Sequence, residues 1–320
     1  MTSLLIDITI AIITAIVTCY DIITCPIYLL IQKPWQRLAN SRRPKARPLD
    51  PRSPYSPWIR VPDPLSPARR HFMSECQTVA DLFARVVQKY GPKRGFGSRR
   101  VLSADNERQS DGKVFRKLVL SDYEFHTYNE IGGRVERVAR GLLALGVRAN
   151  ENVAVYAETR IEWMICIPYR PLRAQALFKI NAPIVTLFST LGNDGVVHGL
   201  NETEAEFLIT TADLIPKLLP LLPRLPALRH VVYMEGPARP DLSTGAVADR
   251  VRFEAFSAVE ALGADTEHHR EDLEAGPRSD STAILMYTSG STGTPKAVQI
   301  SHANIMSTVR GFCATLGSGL

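Results

Sequence analysis

Three rhythms of apolar and polar residues divide the chain. From Leu4 to Ile31 it is almost continuously apolar, interrupted by Asp7 and Asp21. Ile8 to Leu30 predicts a helix of roughly 35 Å, enough to cross the hydrocarbon core of a bilayer. Between Pro34 and Pro67 the periodicity disappears and Pro and Arg dominate, which predicts an extended or disordered tether. From Phe72 onward, strand-like and helical patterns alternate. Val79–Val87 carries helical spacing, and Val114–Leu120 reads as a strand. Thr127 and Glu130 are spaced as a capping box for a helix with Val135, Val138, Leu142 and Leu145 on one face, stopped by Gly146. Asn152–Ala157, Ile184–Phe188, Phe207–Thr210 and His230–Met234 predict strands. Thr159 and Glu162 mark the start of another helix, and Ser301 caps a last one over Ala303–Leu316. This alternation defines an α/β fold with a mostly parallel sheet and flanking helices, preceded by a membrane helix.

Charge sharpens the first boundary. The 320-residue chain carries a formal +6, but the excess is local, lying from about Gln32 to Arg70 with only Asp50 and Asp63 opposing it. Beside an apolar segment such a stripe suits anionic lipid better than nucleic acid, which we do not expect as a partner. Lys33, Arg37, Arg42, Arg43, Lys45 and Arg47 all follow the apolar run and no Lys or Arg precedes it, so the basic side is expected in the cytosol. The run is too long for a cleaved signal peptide and lacks a basic start. A single span is favoured over a shallow hairpin, which Asp21 and Pro26 would also allow. The five cysteines have no paired spacing, which argues against a disulfide framework or a zinc site.

The densest chemistry lies near the other end, in Tyr287-Thr-Ser-Gly-Ser-Thr-Gly-Thr-Pro-Lys-Ala-Val298. An apolar strand, Thr282–Tyr287, leads in, and alternation resumes at Val298 and Ile300. Between them Thr288, Ser289, Ser291, Thr292 and Thr294 offer hydroxyls, while Gly290 and Gly293 let backbone N–H groups approach an anion. Lys296 supplies a point charge after the stiffening Pro295. The bland reading, a flexible Ser/Gly linker, rarely interrupts two apolar strands. A Walker A loop is excluded, because Lys296 is followed by Ala297 and not by a hydroxyl.

That stretch resembles the signature loop of the adenylate-forming enzymes. Glu158–Met164, Val185–Gly192 and Val197–Ala205 are similar to segments of long-chain fatty acyl-CoA synthetases, and Lys113–Leu118 with the apolar N-terminus points to the membrane-anchored branch. The similarity runs from about Phe72 onward. It implies a membrane anchor over 1–31, a basic connector over 32–70, and the N-terminal part of the adenylate-forming large domain over 71–320. It also implies ATP-dependent activation of a long-chain fatty acid to its coenzyme A thioester, with ATP, Mg2+ and coenzyme A as co-reactants. Membrane lipid is the implied surroundings. The resemblance further places Thr288, Ser289, Gly290, Ser291, Thr292, Gly293, Thr294 and Lys296 around the β- and γ-phosphates. The endoplasmic reticulum membrane is the implied location, globular part cytosolic, with lipid droplet and mitochondrial outer membrane as alternatives. The family's adenine motif, ribose aspartate, hinge and C-terminal lysine would follow Leu320, so this chain alone is expected to complete neither half-reaction. The contrasting reading is a non-catalytic, membrane-tethered binding protein that keeps the loop as a relic. Oligomeric state is left open.

Other polar residues read more plainly. His198 is expected to be structural, and His268 and His269 to lie in a loop without enough partners for a metal. Glu202, Glu204 and Glu206 suggest a solvated face. Ile167–Arg173, with two prolines, interrupts a helix and reads as a surface loop or, preferably, a misread exon boundary. Leu214–Leu228, with four prolines, is expected to be irregular and peripheral.

Overall fold

A computed structural model describes residues 2–42, 44, 46–53, 55–56, 58–61, 75–108, 112, 114–158, 160–166, 176–236, 239–242, 250–265, 276–288 and 295–315. The chain divides into two units, Met1–Pro64 and Leu65–Leu320.

In the first unit, α1 (Thr2–Gln32) is one helix of 31 residues, about 46 Å long. Its stretch Ile6–Gln32 is long and apolar enough to cross a membrane. The helix runs through Asp21 and Pro26 without turning back. Thr14, Thr18 and Thr24 each bond a carbonyl four residues earlier, which lets hydroxyls sit on an apolar helix without seeking water. Lys33, in the left-handed region at φ 44°, separates α1 from α2 (Pro34–Arg42). Pro34 fits the first helical position, where its missing N–H costs nothing. A short antiparallel pair follows, β1 (Ala46–Pro48) with β2 (Trp58–Arg60). The segment read as an extended tether thus holds local structure. Proline starts a helix here, and the sequence reading weighed it only as a breaker.

The second unit is built on a seven-stranded sheet. Its strands are β7 (Val153–Tyr156), β8 (Ile184–Leu187), β9 (Phe207–Thr211), β10 (His230–Met234), β11 (Arg252–Ala255), β12 (Thr282–Thr288) and β13 (Lys296–Ser301). Their order is β11-β10-β9-β7-β8-β12-β13, all parallel except β13, which pairs antiparallel with β12. Central strands are mostly apolar on both faces because both are covered, with Thr186, Thr210 and Thr211 as the polar exceptions in β8 and β9. Val153 and Val155 point into one core, and Ala154 and Tyr156 into the other. The first core is closed by α3 (Val79–Tyr90), α4 (Tyr128–Ala144), α5 (Ile161–Cys166), α6 (Ala176–Lys179), α9 (Phe256–Asp265) and α10 (His302–Thr315). The second is closed by α7 (Asn193–Glu202), the turn α8 (Ile215–Leu218) and a 3-10 stretch over Leu219–Arg224. Two antiparallel pairs stand apart from the main sheet, β3 (Arg94–Ser98) with β6 (Glu124–Thr127) and the hairpin β4 (Val101–Arg108) with β5 (Val114–Leu120).

The capping signals at Thr127 and Ser301 are realised. Glu130 N donates to Thr127 Oγ1 at 3.2 Å, and Thr127 N to Glu130 Oε2 at 2.7 Å. The second bond holds the Glu130 carboxyl below its ordinary range. Gly146 lies just past the helix at φ 102°, a conformation open to glycine and strained for other residues. Ser301 Oγ accepts from Asn304 N at 3.2 Å to start α10. Thr159 and Ile167–Arg173 lie outside the described residues, and Glu162 receives the Arg160 guanidinium at 2.7 Å.

A second capping box, Thr78 with Asp81, starts α3 and went unread in the sequence. Asp81 N donates to Thr78 Oγ1 at 3.1 Å and Thr78 N to Asp81 Oδ2 at 2.8 Å. Thr78 is buried. Thr78→Ala is expected to cost about 1 kcal/mol, measured as a shift in denaturation midpoint.

One expectation is corrected. Leu214–Leu228 is irregular, but it is core and not periphery. Leu214, Ile215, Leu218, Leu221, Leu222, Leu225 and Leu228 are all buried and pack on the second face of the sheet. An apolar residue precedes each proline (Ile215, Leu219, Leu222 and Leu225), and these with Leu218, Leu221 and Leu228 give the short turns a continuous apolar surface. Burying it outweighs the helix bonds the prolines forgo.

Candidate functional site

The phosphate-loop sequence joins β12 to β13 at the carboxyl end of β12, the end of a parallel strand where open α/β sheets hold ligands. Thr288 and Lys296 are register partners in the β12–β13 ladder, so the two feet of the loop stand side by side. Both residues are solvent-exposed. Ser289, Gly290, Ser291, Thr292, Gly293 and Thr294 lie outside the described residues. The structure therefore fixes where the loop starts and ends.

Helix α7 reaches both feet. His198 and Glu202 are four residues apart, hence on one face of the helix. His198 Nε2 lies 3.2 Å from the carbonyl oxygen of Pro295, the residue before Lys296. On the entering strand, the Tyr287 hydroxyl donates to Glu202 Oε2 at 2.5 Å and lies 3.3 Å from the carbonyl of Gly199. Burial, helped by the bond to Glu202, pushes the Tyr287 phenol well above its ordinary range and keeps it a donor. The His198 ring meets the Tyr287 ring edge-on at 6.1 Å and places Nε2 3.6 Å from Glu202 Oε2. Gly199 permits this approach. A Cβ there would stand 2.6 Å from Leu187 Cδ2 and 3.3 Å from Tyr287 Cε2.

Glu202, Glu204 and Glu206 are all exposed, as expected of a solvated face, and the tyrosine that opens the loop sequence also engages the Glu202 carboxylate. Its four-residue spacing from His198 was the available signal. The partner 85 positions later was invisible in the local pattern. Among the described residues, no group of three or more His, Cys, Asp or Glu side chains is placed to hold a metal ion. His268 and His269 lie outside the described residues.

The mostly parallel sheet with its flanking helices is the fold of adenylate-forming enzyme domains. The adenylation domain of a carboxylate reductase from Mycobacterium chelonae superposes with a TM-score of 0.53 at 18% identity, over 77% of this chain and 38% of that one. A long-chain-fatty-acid-CoA ligase from Archaeoglobus fulgidus does so with a TM-score of 0.52 at 20% identity, over 75% and 40%. In sequence, the profile of the AMP-binding enzyme family matches residues 104–318, and the chain belongs to that family. It is 30% identical over 236 residues to long chain acyl-CoA synthetase 8 of Arabidopsis thaliana, covering 73% of this chain and 31% of that protein. The chain therefore spans about a third of that relative's length.

Proposed function

We propose that this chain belongs to an ATP-dependent long-chain fatty acid–CoA ligase and supplies the loop that grips the leaving end of ATP. One observation carries the proposal: Thr288 and Lys296, the ends of a hydroxyl- and glycine-rich loop, meet at the carboxyl end of β12. The names of the relatives support the substrate class, one being a long chain acyl-CoA synthetase and one a long-chain-fatty-acid-CoA ligase.

A carboxylate is a poor acyl donor because oxide would have to leave. In the proposed reaction its oxygen attacks the α-phosphorus of ATP and the bond to pyrophosphate breaks. The thiol of coenzyme A then attacks the acyl carbon and AMP departs. Charge accumulates on the departing phosphates in the first step. Residues 288–294 would meet it with hydroxyls and backbone N–H groups, and Lys296 with its ammonium. Mg2+ would arrive bound to ATP, and the hydroxyls of Thr288 and its neighbours are hard oxygen donors suited to that ion.

In this proposal residues 1–31 anchor the protein, 32–70 connect, and 71–320 carry adenylation-domain sequence. The apolar α1, followed by Arg37 and Arg42, supports insertion in a membrane with the globular unit in the cytosol, and the endoplasmic reticulum is the membrane proposed.

The test is calorimetric titration of the full chain in detergent micelles with MgATP. Lys296→Ala removes one charge-assisted contact and is expected to weaken binding about 10–100-fold. Equal affinity for the two proteins would remove Lys296 from the site and the reading with it.

A further inference from the structure

The geometry points to His198 and Glu202 as positioning residues that brace the triphosphate loop from helix α7. This rests on the reading that the loop binds the ATP phosphates. We propose that the two side chains, with Tyr287, form a strut that ties both feet of the loop to one helix and sets the peptide leading into Lys296.

A long loop held only by its own ladder could open at the last pair, Thr288 with Lys296, where both residues face solvent. The strut acts at that place from both sides. On the entering strand, Tyr287 is pinned through Glu202 Oε2 at 2.5 Å and the Gly199 carbonyl at 3.3 Å. On the leaving strand, Pro295 has no N–H of its own to anchor it. Its carbonyl is instead taken by His198 at 3.2 Å. That carbonyl and the Lys296 N–H share one rigid peptide plane. Fixing the oxygen therefore fixes the direction in which the backbone enters Lys296.

The contacts also settle the proton on His198. A carbonyl only accepts, so the nitrogen facing Pro295 must carry hydrogen. The carboxylate of Glu202, 3.6 Å from the same Nε2, favours a proton there as well. Neutral His198 is accordingly the Nε2–H tautomer. Gly199 and Thr203 complete the seat. Thr203 Oγ1 donates to the Gly199 carbonyl at 2.7 Å, steadying the oxygen that also faces the Tyr287 hydroxyl. A histidine read as structural and a glutamate read as solvated thus meet at the two feet of the loop.

The experiment is run on the full chain in detergent micelles and has two readouts. Histidine 15N shifts of the ligand-free protein are expected to show His198 as the Nε2–H tautomer, and the Nδ1–H form would overturn the strut. MgATP affinity is then measured for wild type, H198A, H198Q, K296A and the H198A/K296A pair. H198A is expected to weaken binding about 10-fold, the scale of one lost positioning hydrogen bond. H198Q, whose amide N–H can reach the Pro295 carbonyl, should stay within about 3-fold of wild type. Because the strut works through Lys296, the pair should bind no more weakly than K296A alone. Additive losses, or H198Q as weak as H198A, would leave His198 a merely structural residue and overturn the proposal. If K296A loses affinity while H198A keeps it, the strut fails and the loop reading survives. If wild type and K296A bind alike, or neither binds, the loop reading itself fails and takes the strut with it. Should H198A not fold, H198Q and the tautomer decide.

Discussion

Gly263→Ala is expected to destabilise the second unit by about 2–3 kcal/mol or more, lowering its melting midpoint by about 5–10 °C. Gly263 lies on α9 where that helix crosses α4. A Cβ built there would stand 1.7 Å from the Arg137 carbonyl oxygen and 2.6 Å from the Gly141 nitrogen. Facing it, a Cβ on Gly141 would stand 2.0 Å from the Val259 carbonyl oxygen. The two backbones touch through a pair of glycines, and neither obstacle is a side chain that could swing away. Alanine is the better helix former by about 1 kcal/mol, but that gain is smaller than the cost of parting two helices. Parting them would also strain the ion cluster beside the crossing. Glu260 receives Arg134 at 3.0 Å and Arg137 at 2.6 Å. Burial pushes the Glu260 carboxyl up, and the two guanidiniums more than offset this, holding it below the ordinary carboxylate range. Gly133→Ala on α4 is the matched control. Its nearest obstacle is the tip of Arg137 at 3.4 Å, so it should be neutral or slightly stabilising. Equal melting midpoints for the two variants would show that the crossing is looser than described.

What the sequence told and what it hid follow one line. Features set by near neighbours were legible. Thr127 with Glu130, Gly146 past the helix end, and the apolar runs of β7 to β10 all depend on spacings of a few residues. The loop between β12 and β13 was legible for the same reason, since its glycines, hydroxyls and lysine are contiguous. Features set by distant partners were not. Glu202 read as solvated, and it is exposed, but its bond to Tyr287 was hidden, as was the Pro295 carbonyl that engages His198. The prolines of Leu214–Leu228 spelled irregularity correctly. Their leucines gave no hint of burial because turns carry no fixed apolar period. Gly141 and Gly263 are a further case: a glycine within a helix reads as a weak point until a second backbone is seen against it.

His302 is the other place where distance decides, and it makes the fold acid-sensitive. The side chain is 1% exposed, stacked edge-on against Phe178, and its Nδ1 accepts from the Val79 N–H across 223 positions of sequence. Burial pulls its pKa down to about 4 against the nearby Asp81 carboxylate, which acts in the opposite sense. The ring also sits at the first turn of both α3 and α10, where helix dipoles disfavour a cation. Protonation would place two N–H groups face to face at Val79. The unfolded chain protonates His302 near 6.5 and the folded one only near 4. Between those values the unfolded state binds more protons, so stability falls as pH falls. The contribution is complete above the unfolded value, is lost through this window, and is constant below it. Across the whole window it amounts to roughly 3 kcal/mol, of which about 2 kcal/mol goes between about pH 7.5 and pH 5. Carboxylates and His230, whose pKa burial also lowers, titrate in both proteins being compared. The measurement is therefore a difference. His302→Gln should be the less stable protein near neutrality, having lost a fitted ring, yet lose less stability than wild type on acidification. Denaturation midpoints that fall in parallel for the two proteins would mean that His302 accepts its proton in the folded state without disturbing Val79.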